Sequence, residues 1–191
     1  MGGALRDSLN ASSVPFARIL LVGFMGSGKS TVGPLLASQL GWQHVDLDEE
    51  IERRTGRSVP SIFREDGEPA FRAIEEQVAR ELLGPEEVVV SPGGGWPCRD
   101  GRMEALSPGT LSIWLVVSPE RAVERAKRHG AERPLLAGED PVARARELLA
   151  ARERYYGVAH WRVDTEARSP EEVVRVVIER LTQEPARPLR A

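Results

Sequence analysis

The sequence predicts an α/β fold in three layers, a five-stranded parallel sheet with helices on both faces. Three observations carry this expectation. Short apolar stretches alternate with longer amphipathic ones along the chain, as successive βαβ units require. The first strand stretch, Ile19-Leu20-Leu21-Val22, is continuously apolar, as in a parallel strand covered on both faces. Between it and the first helix lies Gly23-Phe24-Met25-Gly26-Ser27-Gly28-Lys29-Ser30, which has the G-x-x-x-x-G-K-[ST] spacing of a P-loop in its strand–loop–helix setting. The architecture expected is therefore that of a P-loop NTPase.

In order, residues 1–17 lack periodicity and are expected to form a disordered tail, ahead of one domain over 18–183. A helix over 29–40 follows the loop and ends at Gly41, a natural left-handed cap. Residues 43–46 form a second strand leading into Asp46-Leu47-Asp48. A helix over 48–54 stops before Thr55-Gly56, and Ser58 caps a short helix over 59–64. Asp66-Gly67 is a turn. A long amphipathic helix over 68–83 follows, with Phe71, Ile74, Val78 and Leu82 on its apolar side. Gly84-Pro85 breaks it. A third strand over 87–91 runs into Pro92-Gly93-Gly94-Gly95, and a fourth covers 111–117. After a helix over 119–128, a polar loop bounded by Gly130 and Gly138 carries Arg133. A helix over 141–156, a strand over 161–164 and a helix over 170–181 complete the core, and 184–191 is a loose tail. Residues 48–83 and 130–141 are not needed for the sheet. They are expected to be a helical substrate-binding insert and a mobile lid.

The bulk properties narrow the function. The 191 residues suffice for one well-packed domain, and 41% hydrophobic with 29% charged residues describes a soluble globular protein. A net charge of −3 argues against a broad nucleic-acid surface. The single cysteine, Cys98, cannot form an intrachain disulfide, so a reducing cytoplasm is compatible. No apolar run reaches the roughly 18 residues of a membrane span, and the first residues lack a secretory apolar core.

Each candidate residue has a chemical reason. The loop glycines let backbone N–H groups of Gly26, Ser27 and Gly28 face phosphate oxygens, and the following helix adds its positive end. Lys29 would reach the β- and γ-phosphates, and the Ser30 hydroxyl would ligate Mg²⁺. Thr31 continues the cradle. Asp46 and Asp48 stand two apart at a strand end. There one carboxylate can support the metal shell and the other accept a proton from an attacking hydroxyl. An acidic helix start is the competing account of these two, and the P-loop upstream tips the balance. Gly93, Gly94 and Gly95 offer backbone N–H groups without side chains in the way. Arg72 and Arg152 can hold a carboxylate through two parallel hydrogen bonds, although a solvated arginine is the default among 26 basic residues. Glu75 lies one helical turn from Arg72 and could orient it or bind a substrate hydroxyl. Arg133, in a closing loop, would bring positive charge to the transferring phosphoryl group. Ligands in such sheets sit beyond the carboxyl ends of the strands, where these stretches converge.

Taken together, these residues resemble the shikimate kinase family. The resemblance rests on Gly23 to Ser30, Asp46-Leu47-Asp48, Thr55-Gly56-Arg57-Ser58, Ile62-Phe63, Gly67-Glu68, Phe71-Arg72-Ala73-Ile74-Glu75, the glycine triplet, Arg133-Pro134-Leu135-Leu136, and Arg152 with Tyr156. It implies transfer of the ATP γ-phosphoryl to the 3-hydroxyl of shikimate, on the route to aromatic amino acids, by a cytoplasmic monomer. By the same resemblance Asp48 holds substrate hydroxyls and is the candidate base. Arg72 and Arg152 clamp the carboxylate, the triplet contacts substrate through its backbone, and Phe63 and Phe71 line the pocket. Asp46 supports Mg²⁺ through water beside Ser30. Arg133 is the lid arginine, and Arg125, Arg168 and Pro170 flank the adenine. The alternatives are a kinase for another sugar acid such as gluconate, or a nucleotide-binding relative that has lost catalysis.

Overall fold

The computed structural model describes residues 14–128 and 139–184. Its elements are β1 (Arg18–Val22), α1 (Lys29–Leu40), β2 (Gln43–Asp46), α2 (Leu47–Thr55), α3 (Val59–Leu82), β3 (Val88–Ser91), β4 (Thr110–Val116), α4 (Pro119–Arg128), α5 (Pro141–Tyr156), β5 (Trp161–Asp164) and α6 (Pro170–Gln183). The strands form one parallel sheet in the order β2-β3-β1-β4-β5. β1 lies at the centre, paired with β3 on one side and β4 on the other, and all five of its residues are buried.

Strand side chains point alternately to opposite faces, so each strand feeds two cores. Ile19, Leu21, Val89, Leu111 and Ile113 pack against Val32, Leu36 and Leu40 of α1 and Val173, Val177 and Leu181 of α6. Leu20, Val22, Val88, Val90 and Trp114 face the other way. They meet Leu47 and Ile51 of α2, Ile62, Phe71 and Val78 of α3, Ala122 and Val123 of α4 and Tyr156 of α5. The result is the three-layer parallel architecture that the alternation of elements predicts.

Two local features bear on the geometry at the carboxyl ends of the strands. α3 contains a kink at Gly67, whose φ of 81° and ψ of 171° fall outside helical values. The boundary expected at Asp66-Gly67 is therefore present, as two helical segments that meet at this kink. On α1, Gly33 lies against the sheet so closely that a β-carbon there would sit 2.3 Å from His44 Nε2 and 2.8 Å from Ser91 Oγ. His44 and Ser91 bond each other at 3.0 Å.

The expected disordered tail needs a correction. Residues 14–17 belong to the packed domain: Val14 and Phe16 lie against the α1–α6 core, and Phe16 meets Trp161 edge to face at 6.1 Å. The backbone N–H of Ala17 bonds Gly109 O at 2.8 Å. Apolar residues at 14 and 16 find an uncovered flank of β5, which local periodicity does not reveal. Residues 1–13, 129–138 and 185–191 lie outside the described residues, and with them most of both expected tails and the lid carrying Arg133. Among the described residues no helix is long and apolar enough to cross a membrane.

Candidate active site

β1 delivers the chain into the P-loop. Gly23, Gly26 and Gly28 all adopt positive φ. At Gly26 a β-carbon would press to 2.8 Å from the backbone of Ala122, so this position excludes a side chain on steric as well as conformational grounds. α1 starts from Gly28 without a side-chain cap and without an acidic residue in its first turn. By contrast Asp46, Ser58, Asp140 and Ser169 cap α2, α3, α5 and α6. The first N–H groups of α1 are therefore left to an external acceptor, with the positive end of the helix behind them. Lys29 folds back over the loop, donating to Gly23 O at 2.7 Å and Phe24 O at 3.2 Å. The Ser27 hydroxyl is buried and has no hydrogen-bond partner among the described residues.

A cleft of about 510 Å³ opens above this loop. Its lining includes Gly26 to Thr31, Asp46, Asp48, Gly93, Gly94 and Arg168, so these predicted residues are brought together. Ser30 donates to Asp46 Oδ2 at 3.2 Å. The other oxygen of Asp46 caps α2, accepting from Asp48 N at 3.0 Å and Glu49 N at 3.4 Å. The acidic helix start is thus satisfied by Asp46, which leaves the carboxylate of Asp48 for other work. A hydroxyl beside a carboxylate suits Mg²⁺, a hard cation that takes oxygen ligands and commonly uses one or two carboxylates plus phosphate oxygens.

Asp48 is half-buried, and its carboxyl is pushed up to about 6. Burial is the main cause. The negative charges of Asp46 and Glu75 add to it, and Lys29 opposes it. The Asp48 carboxylate faces Gly93, where a β-carbon would lie 3.0 Å from Oδ2. The absence of a side chain at 93 keeps that oxygen accessible.

Arg72, Gly95 and Arg152 do not line the cleft itself but adjoin its glycine wall. Arg72 Nη2 comes within 3.2 Å of a β-carbon position on Gly95, and Arg152 Nη1 within 3.7 Å of one on Gly94. Arg72 donates to Glu75 at 2.8 Å and to Glu68 at 3.1 Å. Its guanidinium also lies over the rings of Phe63 and Phe71, 5.8 and 5.2 Å from their centroids. Glu75 is 1% exposed, and burial raises its carboxyl pKa despite the guanidinium beside it. Arg152 lies over the Phe24 ring at 6.0 Å. Arg133 is outside the described residues.

On the opposite side the cleft is lined by Arg125, Thr165, Arg168, Pro170 and Val173. Arg125 ties this wall to the P-loop, donating to Gly26 O at 3.0 Å and to Thr165 O at 2.5 Å. Arg168 donates to Asp164 O at 2.6 Å. Thr165 is not a residue that sequence reasoning singles out. A threonine after a strand carries no motif, and only the packing of β5 beside β4 brings it to the cleft.

Comparison with known proteins places this site in context. The family model described as shikimate kinase matches residues 25–182. A shikimate kinase of Thermus thermophilus is 46% identical over 167 residues, covering 87% of this chain and 91% of that protein. Among solved structures, a shikimate kinase from Acinetobacter baumannii in complex with shikimate aligns with a TM-score of 0.81 at 34% identity, over 89% of this chain and 95% of that one. A gluconokinase from Sinorhizobium meliloti aligns with a TM-score of 0.56 at 24% identity, over 89% and 93% of the two chains, which is a likeness of fold alone.

Proposed function

The chain belongs to the shikimate kinase family, and from that premise we propose how its own residues carry out the family's reaction. The activity is transfer of the γ-phosphoryl group of ATP to the 3-hydroxyl of shikimate, giving 3-phosphoshikimate and ADP in chorismate biosynthesis. The loop N–H groups of Gly26, Ser27 and Gly28, with the start of α1, hold the phosphates. Lys29 leaves its carbonyl partners for the β- and γ-oxygens, and Thr31 closes the cradle. Ser30, with Asp46 through water, would hold Mg²⁺, which neutralises phosphate charge when bound. Arg168 flanks the adenine from the far wall, together with Arg125 and Pro170.

Shikimate is read on the other side. Its carboxylate takes the two guanidinium groups of Arg72 and Arg152, and its ring lies along Gly93, Gly94 and Gly95. Glu75 keeps Arg72 pointed at the site, while the exposed Glu68 is the partner that the substrate carboxylate displaces. Asp48, largely ionised at neutral pH, accepts hydrogen bonds from substrate hydroxyls and takes the proton of the attacking one. Arg133 is assigned by resemblance to the lid that brings positive charge over the transferring group. One chain supplies every residue named, so a monomer is sufficient.

The observation that carries this reading is a half-buried carboxylate facing a side-chain-free glycine wall in a P-loop cleft, with two arginines against the same wall. Coupled ADP release with shikimate or gluconate as acceptor tests it. Turnover should depend on shikimate, with gluconate near background. Arg72→Ala and Arg152→Ala should each raise the KM for shikimate about 10- to 100-fold, the loss of one charge-assisted hydrogen-bonded pair. The KM for ATP should move less than about twofold, because neither Arg72 nor Arg152 lines the P-loop cleft. Wild-type shikimate kinetics in both variants would remove the carboxylate clamp.

A further inference from the structure

The glycine wall has no side chains, and its own turn holds the carbonyls of Gly93 and Gly95, which accept from Trp96 N at 3.0 Å and Cys98 N at 3.1 Å; the carbonyl between them is held from outside the turn. The Gly94 carbonyl accepts the hydroxyl of Tyr156 at 2.6 Å, across 62 positions of sequence. The Cys98 thiol donates weakly to the same oxygen at 3.5 Å. Tyr156 is the last residue of α5 and is 0% exposed, its ring tilted against Trp114 at 5.9 Å between centroids. Burial pushes its phenol well above the ordinary range, so it stays a neutral donor. Arg152 stands one helical turn earlier on α5, and its Nη1 and the Tyr156 hydroxyl lie 3.7 and 3.6 Å from the same β-carbon position on Gly94. The phenol, the Arg152 guanidinium and the Gly94 peptide therefore meet at one point of the wall that would face shikimate.

We propose that Tyr156 is a positioning residue for the acceptor substrate: its hydroxyl fixes the plane of the Gly94 peptide and the place of Arg152 relative to it. The carbonyl of residue 94 belongs to the same peptide unit as the N–H of residue 95. Holding that oxygen inward on Tyr156 turns the Gly95 N–H the opposite way. Triplet glycines have few conformational restrictions of their own, so without the bond this peptide is the most easily rotated part of the wall. The bond also joins α5 to the loop after β3, so a guanidinium on one element and N–H groups on another keep a fixed separation. The role rests on the assignment of this wall to shikimate.

Tyr156→Phe keeps the ring and its packing on Trp114 and removes the one hydroxyl. Steady-state kinetics with each substrate varied, read below the melting transition of each variant, is the test. The expected result is a rise of about tenfold in the KM for shikimate, a smaller fall in kcat, and a KM for ATP within about twofold of wild type. In the double variant with Arg152→Ala, the effects on the shikimate KM should be less than multiplicative, because both act on one substrate group. Unchanged shikimate KM, equal changes in both KM values, or multiplicative effects in the double variant would each overturn the role. Absence of shikimate turnover in the wild type would instead overturn the assignment of the substrate.

Discussion

Asp48 concentrates the electrostatics of the site in one carboxyl group. A base works only when ionised, so kcat/KM for shikimate should fall as pH drops through about 6 and level off above it. Asp48→Asn should lower kcat about 10²- to 10⁴-fold and abolish that acid limb. If the limb survives in the variant, another group is responsible for it. The same upward shift affects stability with the opposite sense. A folded-state value above the ordinary 3.8 means that the native chain binds this proton more tightly than the unfolded chain. The stabilisation is then full at low pH and is lost as pH rises from about 4 to about 6. At neutral pH the ionised Asp48 opposes folding, and Asp48→Asn should raise stability by about 1–3 kcal/mol in urea melts at pH 7. The P-loop and the Asp46/Asp48 pair are legible in sequence because they are local: spacing alone puts them at strand ends. The division of labour between the two aspartates is not legible, because which one caps α2 depends on backbone geometry. Tyr156 illustrates the same limit. Its partner is 62 residues away, and nothing near it in the chain names Gly94.

At the scale of elements, the kink in α3 separates the helical segment that carries Phe63 from the one that carries Phe71 and Arg72. Gly67 has φ 81° and ψ 171°, a combination open essentially to glycine alone. A β-carbon there would meet only Pro69 Cδ, at 3.7 Å, so space is not the constraint. Gly67→Ala should therefore destabilise the protein by about 1–3 kcal/mol through backbone strain, read as a lowered melting temperature. A variant as stable as wild type would mean that the kink is indifferent to the residue it turns on. Strands and helices are readable here because uninterrupted apolar runs and amphipathic periods coincide with glycine and proline breaks. The sequence also places the boundary at Asp66-Gly67, where Gly67 leaves helical geometry, but contacts made between distant parts of the chain are less readable. The seating of Val14 and Phe16 on the α1–α6 core likewise depends on a surface that exists only after β5 has joined the sheet.

For the whole molecule, the sheet order puts β1 between β3 and β4, so the loops after β1, β2 and β3 open on the same edge. Phosphate cradle, carboxylates and glycine wall are thereby gathered by three adjacent strands, while β5 and the start of α6 supply the far wall. Binding to a site shared among so many elements should stabilise the fold as a unit. A non-hydrolysable ATP analogue with Mg²⁺ at about 100 times its dissociation constant contributes about 2.7 kcal/mol. For a domain of this size the melting temperature should rise by about 5–10 °C. No shift with nucleotide demonstrably bound would indicate that the unfolded chain binds it equally well. The layers on which this depends are held at a separation gauged at Gly33, where α1 rests on His44 and Ser91 with no room for a methyl group. Ser30 rides on that helix and Asp46 on the strand beneath, 3.2 Å apart. Gly33 acts as a shim of zero thickness: a side chain there would have to push the His44 and Ser91 side chains out of their mutual bond or lift the phosphate cradle off the carboxylate that serves it. Sequence drift at position 33 would then register kinetically as a fault in handling the metal–nucleotide pair, although every atom meant to touch that pair remained in place.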